Sequence, residues 1–179
     1  MRTIRIFVIA GLVGSALFLG GCATASQSAA MVAKPPTAVT KHPESLSVTV
    51  TGGSETSAMT ASKISDADFA EAIKASVTQS GLFAKVAASD ASDYHLDVQI
   101  VRLVQPMFGA SFTVTMETSW FLRRRSDLNI VWQKGITSNF TATMGDAVVG
   151  VTRLRLANEG AARANIQDAI TQLGAIALP

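Results

Sequence analysis

The sequence predicts an α+β fold, a two-layer sandwich of a four-stranded, mainly antiparallel sheet with two helices on one face, in the order β-α-β-β-β-α. Three observations carry this prediction. Four stretches alternate apolar and polar residues with period two, which gives each strand one buried row and one exposed row. Two other stretches repeat apolar residues every three or four positions, the spacing of a helix stripe. The polar rows of the strands are rich in threonine, so helices cover only one side of the sheet.

The elements follow in order. Leu46, Val48 and Val50 alternate with Ser47, Thr49 and Thr51 and form the first strand, which Gly52-Gly53 ends. Ser65 is placed to cap a helix whose first turn carries Asp66 and Asp68, where the helix dipole favours anions. Ile64 and Phe69 stand at the positions of a hydrophobic staple, and Phe69, Ile73 and Val77 form the apolar stripe. Gly81 supplies the C-terminal stop. Three longer strands come next: Tyr94, Leu96, Val98 and Ile100; then Phe112, Val114, Met116, Trp120 and Leu122; then Ile130, Trp132, Ile136 and Phe140. Lys134 and Ser138 interrupt the last row, and Ser126-Asp127-Leu128-Asn129 joins the last two strands as a hairpin. The final helix runs from about Thr152 to Leu178 along Leu154, Ala157, Ala161, Ile166, Ile170 and Leu173. On its exposed side Arg155-Glu159 and Glu159-Arg163 are i,i+4 pairs, and Gly160 lets the helix lie close to the sheet.

Ahead of this domain the chain changes character. Arg2 and Arg5 precede an apolar run that ends in Leu19-Gly20-Gly21-Cys22, with Gly11, Gly14, Gly20 and Gly21 within it. A charged start, a short apolar stretch and small residues before a cut mark a secretory signal. A membrane span needs about 20 predominantly apolar residues, which this glycine-interrupted run does not supply. Cys22 is the only cysteine, so an exported protein has no disulfide partner for it. Residues 22–44 then read as a flexible tether of small polar residues around Pro35-Pro36, with a coil span of roughly 25 Å. The expected organisation is a signal peptide over 1–21, a lipidated Cys22 with linker over 22–44, and one domain over 45–179. Setting aside Arg2 and Arg5 leaves 13 basic and 13 acidic residues, so the mature chain is formally neutral and nucleic acid is not an expected partner.

Leu19-Gly20-Gly21-Cys22 resembles the lipobox of bacterial lipoproteins. That resemblance implies diacylglycerol on the Cys22 sulfur, cleavage before Cys22 and acylation of the new amino terminus. Several acyl chains anchor stably where a single one holds only marginally. Ala23 stands where an inner-membrane retention signal would place Asp, which implies the outer membrane with the domain facing the periplasm. Together with this start, Ser80-Gly81-Leu82-Phe83 and the strand Asp93-Tyr94-His95-Leu96-Asp97-Val98-Gln99-Ile100 are similar to a broad group of small envelope lipoproteins. The lipoprotein subunit of the lipopolysaccharide-assembly translocon shares the same plan of helices on a four-stranded sheet.

Chemistry is sparse. His42 lies in the expected linker and His95 on a strand beside Asp97, with Ser111 or Ser119 as the candidate hydroxyls, but no nucleophile elbow accompanies them. No residue spacing makes a metal or phosphate-loop motif, so no cofactor is expected. Arg123-Arg124-Arg125 at a hairpin end either meets phosphate or an acidic partner, or solubilises a turn. Met107 and Phe108, in the loop from Gln105 to Gly109, either contact a partner or membrane or fold back onto the core edge. The sequence therefore predicts a non-enzymatic accessory or assembly subunit of a cell-envelope complex, with an envelope protein as partner. The alternative is a module that binds lipid or lipopolysaccharide.

Overall fold

The computed structural model describes residues 24–36, 40–57, 61–88 and 91–179. The expected signal peptide over 1–21 and Cys22 lie outside these residues. A short helix α1 (Ser28–Met31) comes first, then strand β1 (His42–Thr51), helix α2 (Asp66–Ser80) and strand β2 (Phe83–Val86). Strands β3 (Tyr94–Val104), β4 (Phe112–Arg124) and β5 (Ile130–Ala142) follow, and helix α3 (Gly150–Leu173) closes the fold.

The α+β class holds, but the sheet has five strands, in the order β2-β1-β3-β4-β5, and it is mixed. β1 runs parallel to both neighbours, while β3, β4 and β5 form antiparallel pairs. The strand missed by sequence reading is β2. It is four residues long and only Phe83 is fully buried, too short for alternation to register. Its parallel pairing follows from the crossover through α2, since a helix between two neighbouring strands returns the chain in the same direction.

Sequence signals place α2 closely. The Ser65 hydroxyl accepts from the Asp68 amide, and Gly81 sits in the left-handed region at φ 62°. α3 begins two residues before the expected start and ends at Leu173 rather than Leu178. Between sheet and helices the core is filled: Phe69 meets Trp120 edge-on at 6.3 Å, and Leu96, Met116, Ile166 and Ile170 are buried in the same core. Within this layer Asn165 is fully buried and accepts from Thr118 Oγ1 (2.7 Å) and Trp120 Nε1 (3.1 Å). Its amide nitrogen donates to the Ile136 carbonyl and to Ser138 Oγ, which explains why Ser138 interrupts an apolar row. Ser138 in turn donates to the Ala161 carbonyl, so the interruption is a bond between β5 and α3.

The largest correction concerns the expected linker. Residues 24–36 are docked on the helices, with Met31 and Ala33 buried, and β1 starts at His42 rather than at residue 45. Side chains hold the backbone of this strap. Glu159 accepts from the Gln27 amide (3.0 Å), Ser76 Oγ from the Ala33 amide (2.9 Å), and Arg163 donates to the Ala30 carbonyl (2.7 Å). The Arg155-Glu159-Arg163 face of α3 is therefore not the exposed side. The strap covers it, and Glu159 is buried with an Arg155 contact of 3.8 Å.

Gly160 is where α3 crosses β5, and a Cβ there would be driven into the Phe140 ring. Gly160→Ala gains about 1 kcal/mol of helix propensity but overpacks this contact, a cost of about 1–3 kcal/mol. The variant is expected to melt at a lower temperature than the parent in a circular-dichroism scan. An unchanged or raised midpoint would show that Phe140 yields freely.

Candidate functional site

The strongest convergence of side chains gathers around the first described residues of the strap. The Ser62 carbonyl accepts from Gln105 Nε2 (2.7 Å) and from Asn158 Nδ2 (2.9 Å), and Asn158 Oδ1 accepts a second bond from Gln105 (2.8 Å). The Ser62 hydroxyl donates to the Thr24 carbonyl (2.8 Å), and the Ser26 amide donates to the Lys63 carbonyl. One node thus joins the strap, the segment before α2, the β3–β4 loop and α3. Asn158 is fully buried, so its amide is the internal pin of the node.

Beyond the node the β3–β4 loop projects. Met107 and Phe108 are 82% and 85% exposed, so they do not fold back onto the core edge. The β5–α3 loop lies beside it. Arg153, almost fully buried, donates to the Ala147 and Val148 carbonyls on that loop and to the Gly109 carbonyl on the other. Its guanidinium also stacks on Phe112 at 4.8 Å. The two terminal nitrogens of this buried cation, bonded to backbone carbonyls of both loops, hold them as one surface while its Nε is left without a hydrogen-bond partner, and Met144, Val148 and Val149 are exposed on it. Asp146 turns its carboxylate back onto Thr143, whose amide and hydroxyl hold the group below the usual carboxylate range.

Arg123, Arg124 and Arg125 lie at the opposite end of the strands. Arg123 donates to Asp97 Oδ2 (3.0 Å) and Arg124 makes a two-point contact with Asp127. Arg124 also reaches the Pro179 oxygen, and the Arg125 amide donates to the Asp93 carbonyl. The Arg123 and Arg124 guanidiniums thus already have carboxylate partners. The structure separates these arginines from Met107 and Phe108 by the length of the sheet.

On the uncovered face of the sheet, His95 and Asp97 do meet, at 3.0 Å through Nε2. The hydroxyl on the other ring nitrogen is Ser47, at 2.6 Å from Nδ1, rather than Ser111 or Ser119. Parallel pairing in register brings Ser47 opposite His95, a contact that no sequence spacing announces. Ser47 is 2% exposed and also bonds Ser92. This hydroxyl is enclosed rather than presented to a substrate. The chain Ser47–His95–Asp97–Arg123 ties β1, β3 and β4 together across the open face.

Among the described residues no three His, Cys, Asp or Glu side chains come together as a metal site, and no helix is long and apolar enough to cross a membrane. An open surface cleft of about 510 Å³ lies between the strap and α2, lined by Val32, Pro35, Glu71 and Ala75 among others.

No family model and no curated protein matches this sequence. Among solved structures the chain is similar to protein XCC0632 from Xanthomonas campestris, at 16% identity and a TM-score of 0.65 over 84% of this chain and 93% of that one. A candidate lipoprotein from Caulobacter crescentus CB15 matches at 12% identity and a TM-score of 0.52, covering 73% of this chain and 88% of that one. The hypothetical protein CT253 from Chlamydia trachomatis matches at 9% identity and 0.52, covering 75% and 99%. At such identities the likeness establishes the fold alone. It carries no role in lipopolysaccharide assembly to this chain.

The far-end ion pair makes a pH prediction. Arg124 and the Asn129 amide hold the Asp127 carboxyl down to about 2 from 3.8. A depressed carboxylate stabilises the folded turn above its unfolded value and loses that contribution as pH falls through the folded one, here between about 4 and about 2. Arg124→Gln is expected to return the Asp127 carbon resonance to an ordinary carboxylate titration. A midpoint that stays near 2 would assign the shift to the turn amides.

Proposed function

We propose that the protein is a lipid-anchored lipoprotein of the bacterial envelope, acting as a non-enzymatic accessory or assembly subunit of a larger envelope complex. The observation that carries the anchor is Leu19-Gly20-Gly21-Cys22 behind Arg2 and Arg5, followed by a domain on which Thr24 is already docked. Ala23 after the cysteine favours the outer membrane, with the domain in the periplasm.

The accessory role rests on what the domain offers. Its interlayer is occupied by Trp120, Phe69, Met116 and the Asn165 bonds, so a bound amphiphile would have to displace core. This weighs the accessory reading above the lipid- or lipopolysaccharide-binding module. The outside, in contrast, is available. β5 is a 13-residue edge strand whose outer side pairs with no strand among the described residues. Long edges are templates for pairing with another chain, and strand addition is a common mode of partner recognition. Lys134 and Gly135 in mid-strand weaken indiscriminate pairing while leaving room for a selected partner.

Two measurements test this reading. Cys22→Ser is expected to move the protein from the outer-membrane fraction to the soluble periplasm; retention in the membrane would refute the anchor. A photocrosslinking residue at Gln133, on the free edge, is expected to capture one protein partner in intact cells. Capture of lipid alone would favour the binding module instead.

A further inference from the structure

We infer that the end of the domain formed by Met107, Phe108, Met144, Val148 and Val149 is seated in the membrane that carries the chain's own acyl anchor. The inference rests on the lipoprotein reading of Cys22 and adds the orientation of the domain.

The first ground is where the chain enters. Thr24 is held by Ser62, and Ser62 is held by Gln105, two residues before Met107. Cys22 is two residues before Thr24, so at most about 7 Å of chain separates the lipidated residue from a docked one. The anchor is thus confined to the end of the domain that bears the two loops. A flexible tether of residues 22–44 would have left the domain free to stand off the bilayer, but residues 24–36 are packed on α2 and α3.

The second ground is the chemistry of that end. Phe108, Met107 and Val148 are 85%, 82% and 77% exposed, and Met144 and Val149 are about half exposed. Exposed large apolar side chains gathered at one site mark an interaction surface. Both loops are clamped by Arg153, so the patch is a fixed surface rather than two loose tips. Apolar side chains that enter the interface add a second membrane signal to acyl chains. A bilayer is the occupant that the anchor itself delivers to this surface.

The test uses the full, lipidated chain in vesicles of phosphatidylethanolamine and phosphatidylglycerol. Acylation blocks the Cys22 sulfur, so an introduced cysteine is the single labelling position. Phe108→Cys and Val148→Cys, each carrying an environment-sensitive fluorophore, are expected to shift to the blue and to be quenched by lipids brominated on their acyl chains. The same label at Ser126→Cys, in the β4–β5 turn at the far end, is expected to remain aqueous and unquenched. If the protein floats with vesicles and mass spectrometry finds Cys22 acylated, yet both tip labels stay aqueous, the inference is overturned and the anchor stands. A blue shift without bromolipid quenching also overturns it, because the surface is then covered by protein. If Cys22 carries no acyl chain and the protein does not float, the anchor reading fails and takes this inference with it.

Discussion

The carbonyl of Ser62, shared between Gln105 and Asn158, is the contact on which the arrangement of this molecule depends. It lies in a segment without regular structure, yet four separate parts of the chain meet there. A buried amide that bridges such a node is costly to remove, because its partners are then left desolvated and unpaired, at about 1–3 kcal/mol per group. Asn158 has no exposure through which water could replace it. The node therefore fixes the height of the β3–β4 loop against α3 and the point at which the amino-terminal strap joins the domain.

This gives the molecule two unlike ends. At one, apolar side chains project from loops clamped by Arg153, beside the entry of the chain. At the other, Arg123 and Arg124 are paired with Asp97 and Asp127, and Leu128 is the exposed apolar side chain of an otherwise polar turn. The strands run between the two ends. Interactions at the ends therefore act on opposite extremities of a rigid sheet, and the β5 edge and the Thr-rich face lie along its flanks. Cross-strand pairs such as Thr113 Oγ1 with Thr141 Oγ1 (2.8 Å) keep that face hydrogen-bonded within itself.

How much of this was legible in the sequence depends on the range of the interaction. The long strands and α2 were readable because alternation, the Ser65 cap and the Gly81 stop are local signals. β2 was too short to alternate. The strap was misread because its composition, with Pro35-Pro36 and small polar residues, is that of a coil; it is held by side chains 43 to 133 positions away. For the same reason Glu159 and Arg163 looked like a solvated helix face. Met107 and Phe108 were legible as a candidate surface, whereas Arg153 was not, since its role is to donate to backbone carbonyls that any sequence supplies. Ser47 reached His95 only through a parallel register that sequence reading did not assign.

On the lipoprotein reading proposed above, the strap also changes what kind of tether this chain would have. A free coil of the length first read from the sequence would give the domain reach, and its orientation would average over many directions. Packed against α2 and α3, the same residues give almost no reach and constrain direction instead. The ordering cost falls on residues 24–36, and burial of Met31 and Ala33 with side-chain bonds to Gln27, Ala30 and Ala33 offsets it. On the proposed accessory role, such an arrangement would hold a surface at a set angle. A long β5 edge standing along the strand direction is useful to a partner only if that direction is fixed, and the docked strap supplies the constraint that fixes it.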